Sequence, residues 1–213
     1  MPEKRKYLEF SSDLISHIES KCACHSIVLY GSWARDQANA SSDIDLLCVT
    51  ETGEFYRDAS DWENKPLDIF VYSEENLPPP GDMLHIGDGI ILKDSKKFIA
   101  KFLDEVKEQL KLPPKKLEIW EKEHRVSWIR KMHKRSLRSD IEGNYRRHWL
   151  LTDLIENWFD FRNIRYQGPK KSFEILEHTY PETYHLFESA LDRNSGDDKL
   201  EDLVKHVISQ AEA

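Results

Sequence analysis

The chain has 213 residues, of which 39% are hydrophobic and 33% charged, and this composition is typical of a folded globular protein and excludes a disordered one. No apolar run approaches the roughly 18 residues of a membrane span, and the first residues lack the apolar stretch of a secretory signal, so we expect a cytoplasmic protein with no membrane partner. The three cysteines are an odd number, which argues against a disulfide framework.

The N-terminal half combines helical and extended patterns. Apolar residues at helical spacing predict an amphipathic helix over residues 6–21, which includes Phe10. The prolines of Leu77–Asp82 predict a loop, and residues 95–110 return to helical periodicity. Short apolar runs rich in β-branched residues predict four strands, at residues 26–30, 44–49, 67–72 and 89–94.

The C-terminal half is predicted to be helical. Pro113 and Pro114 break the chain, so we expect two domains, residues 1–112 and 113–213. Five helices are predicted at about residues 115–138, 141–166, 170–178, 181–192 and 197–211. Large apolar residues at three-, four- and seven-residue steps predict the core of a small helical bundle: Leu117, Trp120, Trp128, Met132, Leu150, Leu154, Trp158 and Phe161.

Two features suggest binding sites but have plainer explanations. Cys22, Cys24 and His25 lie close in sequence, yet their spacing does not match a zinc finger, which favours buried thiols. From Lys115 to Arg165 there are 13 Lys and Arg against 8 Asp and Glu, although the whole chain has a net charge of −8. This basic segment fits either a phosphate-binding surface or solvated helix faces.

Three aspartates carry the strongest chemical signal. Asp43 directly precedes the second predicted strand and Asp45 lies near its start. Because side chains alternate along a strand, both point to the same face. Like charges this close repel one another, so the pair makes sense chiefly around a divalent cation. Asp68 is a third carboxylate inside an otherwise apolar strand. Each signal alone is weak, but strand, Gly-Ser, Asp-x-Asp and a later Asp form a specific combination.

These motifs resemble the nucleotidyltransferase superfamily typified by DNA polymerase beta. The likeness covers residues 26–72 and is closest to small bacterial members with the pattern Gly-Ser-x-Ala-Arg-Gly…Ser-Asp-Ile-Asp-Leu; Asp36 stands where the family usually has Gly. The resemblance implies an α+β fold, with an N-terminal mixed β-sheet flanked by helices and followed by a C-terminal helical bundle. That bundle is similar to the one appended in aminoglycoside nucleotidyltransferases, although this likeness is more generic.

The resemblance also implies roles for individual residues. Backbone amides near Gly31 and the hydroxyl of Ser32 would bind the terminal phosphates of a nucleoside triphosphate, with ATP as the expected donor. Asp43 and Asp45 would hold two Mg²⁺ ions, and Asp68 would hold one of them. Asp68 is also placed to help deprotonate the acceptor hydroxyl, and these two roles stay open.

More peripheral residues have two interpretations each. Arg35 either contacts phosphate or braces its loop. Lys170 and Lys171, at a helix start, either reach the triphosphate or lie in a solvated turn. A further set of three acidic residues shares one helix face and either binds a cationic acceptor or is simply exposed: Asp153, Glu156 and Asp160.

We therefore expect an enzyme that transfers a nucleoside monophosphate, AMP by preference, to a hydroxyl of a small molecule and releases pyrophosphate. The first alternative is an antitoxin-type adenylyltransferase that modifies a partner protein, although such members usually lack an appended bundle. The second is a nucleotide-binding regulatory module that has lost catalysis, which the intact aspartates argue against. An RNA-tailing polymerase, prompted by the basic segment, is disfavoured by the overall acidity.

Overall fold

The computed structural model describes residues 11–212. The chain divides into two compact units, Met1–Leu112 and Pro113–Ala213. The α+β fold class is confirmed, because a mixed six-stranded sheet with helices comes first and helices alone follow. Within the described part of the chain, no helix is both long and apolar enough to cross a membrane.

All four predicted strands are present in the first unit, within one or two residues of their expected bounds. The elements are α1 (Ser11–Lys21), β1 (Ser26–Tyr30), α2 (Gly31–Ala34), β2 (Ile44–Thr50), β3 (Tyr56–Asp58), β4 (Asp61–Trp62), β5 (Lys65–Ser73), β6 (Ile90–Asp94) and α3 (Phe98–Lys111). The beginning of the predicted first helix, with Phe10, lies outside the described residues.

Two details of the first unit differ from expectation. The short strands β3 and β4 were not predicted, because they pair only with β5 and present mostly exposed or polar residues. The proline-rich segment at Leu77–Asp82 is not loop throughout, since Pro80–Asp82 forms one turn of 3₁₀ helix with a proline at its first position.

The sheet has the strand order β3-β5-β2-β1-β6, and β4 also pairs with β5. Strand β2 is central: it runs antiparallel to β1 and parallel to β5. Side chains alternate between the two faces of β2 and pack into two cores. One core contains Ile44, Leu46 and Cys48, and the other contains Leu47 and Val49. Both faces of β2 are buried beyond Asp45, so packing on both sides of the sheet anchors the end of the strand that carries this residue.

The second unit consists of five helices around one core. They are α4 (Ile119–Ser136), α5 (Ile141–Phe161), α6 (Gly168–Thr179), α7 (Pro181–Leu191) and α8 (Asp197–Glu212). Six of the eight predicted core residues lie on α4 and α5 and are buried, or in one case partly buried, in this core: Trp128, Met132, Leu150, Leu154, Trp158 and Phe161. Leu117, ahead of α4, packs against the same core.

Three expectations for the second unit were wrong. Trp120 is 66% exposed and takes no part in the core. It lies in the first turn of α4, which begins at Ile119 and not near 115, because Glu118 and Glu121 form a capping box there. The next helix, α5, ends at Phe161 and not near 166, since Asn163 adopts a left-handed φ of 55° that no helix accommodates.

Candidate active site

The three predicted carboxylates converge at one end of the central strands. Asp45 on β2 lies directly opposite Asp68 on β5 in the parallel register, and Asp43 comes one residue before β2 begins. One carboxylate oxygen from each residue lies within 4.8 Å of the other two. We call these three residues the carboxylate cluster; Asp43 is exposed and the other two are partly buried.

The electrostatics of the cluster fit a divalent cation. Burial, followed by the negative charges of Asp43 and Asp68, raises the pKa of the Asp45 carboxyl from 3.8 to about 6, while Arg35 opposes the shift. Carboxylate oxygens are the ligands that Mg²⁺ prefers in proteins. A cation bound among these oxygens would offset the mutual repulsion that raises this pKa.

Gly31 is required at the carboxylate cluster by the backbone and by the space available. Its φ is +71°, a conformation that other L-amino acids rarely adopt. A Cβ atom at this position would lie 2.0 Å from Oδ2 of Asp45, which is far inside van der Waals contact. The residue before it, Tyr30, pairs with Asp45 across β1 and β2. The glycine therefore lets the turn after β1 approach the carboxylates closely.

The turn after Gly31 is short and well braced. Ser32 lies partly exposed in α2, a single helical turn, and its carbonyl accepts a hydrogen bond from the Gln37 amide at 2.9 Å. Asp36 has a φ of 58°, so a left-handed residue does occupy the position at which the resembled family usually has glycine. Aspartate tolerates this conformation better than most side chains, which explains how the loop keeps its path.

Arg35 lies in contacts that brace this turn. Its Nη1 is 3.0 Å from Oδ2 of Asp88, and its Nε donates to Oε1 of Gln37 at 2.9 Å. Of the two roles considered for Arg35, these contacts favour bracing the loop. Its positive charge also lowers the pKa of Asp45, so the arginine is electrostatically part of the site. A contact with phosphate stays a prediction.

Arg57 is a site residue that sequence reasoning missed. Its guanidinium binds the Asp68 carboxylate through two hydrogen bonds, from Nε to Oδ1 at 2.6 Å and from Nη2 to Oδ2 at 2.7 Å, and lies 4.9 Å above the Phe70 ring. This pairing with Asp68 raises the pKa of the arginine. The residue belongs to the unpredicted strand β3, and nothing in the local sequence marks it as a neighbour of Asp68.

The remaining candidate residues belong to the second unit. Lys170 and Lys171 lie in the first turn of α6, the former exposed and the latter partly buried. On the acidic face of α5, Asp153 and Asp160 are partly buried and Glu156 is exposed. Asp153 and Glu156 line a pocket of about 240 Å³ together with Trp128, and burial raises the pKa of both carboxyls.

The third residue of that face, Asp160, forms a salt bridge with Arg125. Arg125 also lines the pocket, where it lies near the amide oxygen of Asn157 at 3.5 Å. The amide of Asn157 in turn donates to Asp153. The partly buried Asp153 and the exposed Glu156 are therefore the carboxylates that this pocket presents.

Comparison with known proteins identifies the family. Residues 17–147, more than half of the chain, match the family model described as a nucleotidyltransferase domain. No curated protein matches the chain. A nucleotidyltransferase-like protein from Exiguobacterium sibiricum 255-15 has 15% sequence identity and a TM-score of 0.43, over 96% of this chain and 73% of that one. The matched segment contains Gly31, Ser32 and the carboxylate cluster, and the chain belongs to the nucleotidyltransferase domain family.

Proposed function

We propose that this nucleotidyltransferase uses magnesium and moves a nucleoside monophosphate from a nucleoside triphosphate to a hydroxyl of a small-molecule acceptor, with release of pyrophosphate. AMP transfer from ATP is the reaction to test first. The observation that carries the proposal is the convergence of Asp43, Asp45 and Asp68 beside Gly31, whose missing side chain leaves room at the carboxylates. Hard oxygen ligands next to an open backbone turn suit a metal–triphosphate complex.

Each residue of the cluster has an assigned task. Asp43 and Asp45 would hold two Mg²⁺ ions, and Asp68 would hold one of them. The ions, when bound, supply positive charge that neutralises the triphosphate and polarises the α-phosphate. Asp45 and Asp68 would orient the donor through the ions, because the register of β2 and β5 holds them side by side.

The turn after β1 is the proposed phosphate cradle. The amides near Gly31 and the hydroxyl of Ser32 donate hydrogen bonds to the terminal phosphates, which the glycine allows to come close. Arg35 keeps this turn in place through Asp88 and Gln37. Binding of the triphosphate by Lys170 and Lys171 stays a prediction.

Arg57 positions Asp68 in this proposal. Each oxygen of Asp68 accepts one hydrogen bond from Arg57 and keeps a second lone pair. Through that lone pair Asp68 can bind a metal or accept the proton of the acceptor hydroxyl without leaving the arginine. Arg57 therefore orients Asp68 for either role.

The acceptor that we propose is a cationic, hydroxyl-bearing small molecule. The support is the pocket on the second unit, where Asp153 and Glu156 lie beside the Trp128 ring. Carboxylates whose pKa values are raised by desolvation gain most from a bound cation, and the indole supplies an apolar wall. The alternative acceptor is a partner protein. If the acceptor is a small cation, we expect Glu156→Gln to raise the KM for the acceptor and to leave the KM for the donor unchanged.

The three cysteines within the described residues are free, and we place the enzyme in the cytoplasm, where thiols stay reduced.

The test is calorimetric titration of each nucleoside triphosphate into the protein, with and without Mg²⁺. We expect magnesium-dependent binding in the wild type and its loss in the Asp43→Asn/Asp45→Asn variant, because two of the three metal-binding carboxylates are then neutral. The triphosphate that binds most tightly directs the search for the acceptor. Absence of magnesium-dependent binding in the folded wild type would refute the proposal and favour a non-catalytic domain.

A further inference from the structure

A second group of side chains that could hold a metal ion lies in the first unit, built from sulfur instead of oxygen. The sulfur atoms of Cys22, Cys24 and Cys48 all lie within 4.8 Å of one another. We call these residues the thiol cluster. They are all the cysteines that the chain contains, and each is a free thiol. The convergence of every cysteine of the chain on one point is the observation to be explained.

Local structure and the sheet together assemble the cluster. Cys22 and Cys24 lie between α1 and β1, in a tight turn closed by a hydrogen bond from the Cys24 amide to the Cys22 carbonyl at 2.8 Å. Cys48 comes from the central strand β2 and is fully buried, as Cys24 nearly is. Cys22 is partly exposed, so the cluster lies near the surface on the side of this residue.

The spacing and chemistry of the cluster suit a soft cation. Three sulfurs at about 2.3 Å from one metal stand about 4 Å apart, so the thiols need to close by less than about 1 Å to share a ligand. Thiolate sulfur selects soft metals such as Cu⁺, whereas Mg²⁺ prefers oxygen. The site therefore does not compete with the carboxylate cluster for the same ion.

The number of ligands argues for copper over zinc. Structural zinc sites are almost always four-coordinate. Among residues 11–212, no histidine or carboxylate joins the three sulfurs at the same spacing. His25, which is next to Cys24, is engaged elsewhere: its Nδ1 is 2.9 Å from the Ser26 hydroxyl and its Nε2 is 3.1 Å from Oε1 of Glu74.

We propose that the thiol cluster is a binding site for a soft monovalent cation, with Cu⁺ as its reference ligand. Binding releases the protons of the engaged thiols to water. Cys48 is three residues from Asp45 along β2 and therefore faces the other side of the sheet, roughly 10 Å away along the strand. The cation site and the nucleotide site thus share one strand but no ligand.

The experiment uses the reduced full-length chain without oxygen, titrated with Cu⁺ held by a chromophoric Cu⁺ chelator. We expect the protein to withdraw one Cu⁺ per chain from the chelator, and X-ray absorption to show three sulfur ligands. Cys48→Ala and Cys22→Ser should each weaken this withdrawal, while the Asp43→Asn/Asp45→Asn variant should withdraw Cu⁺ like the wild type. Circular dichroism verifies that each variant is folded.

Other outcomes would overturn the proposal. If the reduced wild type leaves the copper with the chelator, the thiols only fill the apolar core, as free cysteines often do. Withdrawal that persists in Cys22→Ser, or coordination by two sulfurs, would also refute a three-sulfur site. The partly exposed Cys22 gives a decisive variant even if Cys48→Ala does not fold.

Discussion

Replacement of Asp45 by asparagine should stabilise the protein while it abolishes nucleotidyl transfer. The pKa of this carboxyl is raised to about 6 by burial and by Asp43 and Asp68. Between about pH 4 and 6 the folded chain therefore binds more protons than the unfolded chain, so the free energy of unfolding falls as pH rises through this window. Above pH 6 the wild type has lost all of this contribution to its free energy of unfolding. Asp45→Asn cannot ionise and loses none of it.

The size of the effect follows from the pKa. A rise from 3.8 to about 6 corresponds to at most about 3 kcal/mol, at 1.36 kcal/mol per pKa unit. Because Asp45 is only partly buried, we reduce this to about 1–2 kcal/mol. In a unit of roughly 100 residues each kcal/mol shifts the melting temperature by about 4–8 °C.

Thermal unfolding in a chelating buffer, at pH 7.5 and pH 4, measures the change in stability caused by Asp45→Asn. We expect the variant to melt higher than the wild type at pH 7.5 and at nearly the same temperature at pH 4. The exposed Asp61, changed to asparagine, is the matched control and should show no such pH-dependent gain. A variant that melts lower than the wild type at pH 7.5, or one whose gain persists at pH 4, would refute the electrostatic account of the site. Detectable magnesium-dependent transfer by the variant would refute the catalytic role of Asp45.

Three further changes test the turn, the missed arginine and the second unit. Gly31→Ala should destabilise the fold and abolish triphosphate binding. The control is Gly53→Ala, at φ +125° with nothing within 4 Å of the added Cβ, which should lose stability through backbone strain alone and keep triphosphate binding. Equal losses of binding by the two variants in calorimetry would contradict the steric argument. Arg57→Gln should tighten Mn²⁺ binding roughly fivefold, because removing a unit charge about 4 Å away is worth about 1 kcal/mol in water. An unchanged or weaker Mn²⁺ affinity by electron paramagnetic resonance would show that the charge of the arginine does not oppose metal binding. Lys170→Ala/Lys171→Ala should raise the KM for the triphosphate with the melting temperature unchanged, and an unaltered KM would remove both lysines from the donor site.

Much of the sheet and of the carboxylate cluster could be predicted from the sequence, because both depend on local sequence patterns. Apolar runs predicted the four main strands, and alternation within the second run placed Asp43 and Asp45 on one face. The Gly-Ser and Asp-x-Asp motifs pointed to the nucleotidyltransferase family, which the family match over residues 17–147 confirms. These features depend on the period of a strand and on turn chemistry, and both act over a few residues.

Other features were decided by contacts between distant parts of the chain. The parallel register of β2 and β5 sets Asp68 opposite Asp45, and the pairing of β3 with β5 brings Arg57 to Asp68. The sheet likewise carries Cys48 to Cys22 and Cys24. The sequence by itself determined which segments become strands and helices and which carboxylates are available for chemistry. Only the tertiary structure decided which side chains meet. Strand order and register depend on burying both faces of the sheet at once, and no single segment of the sequence specifies them.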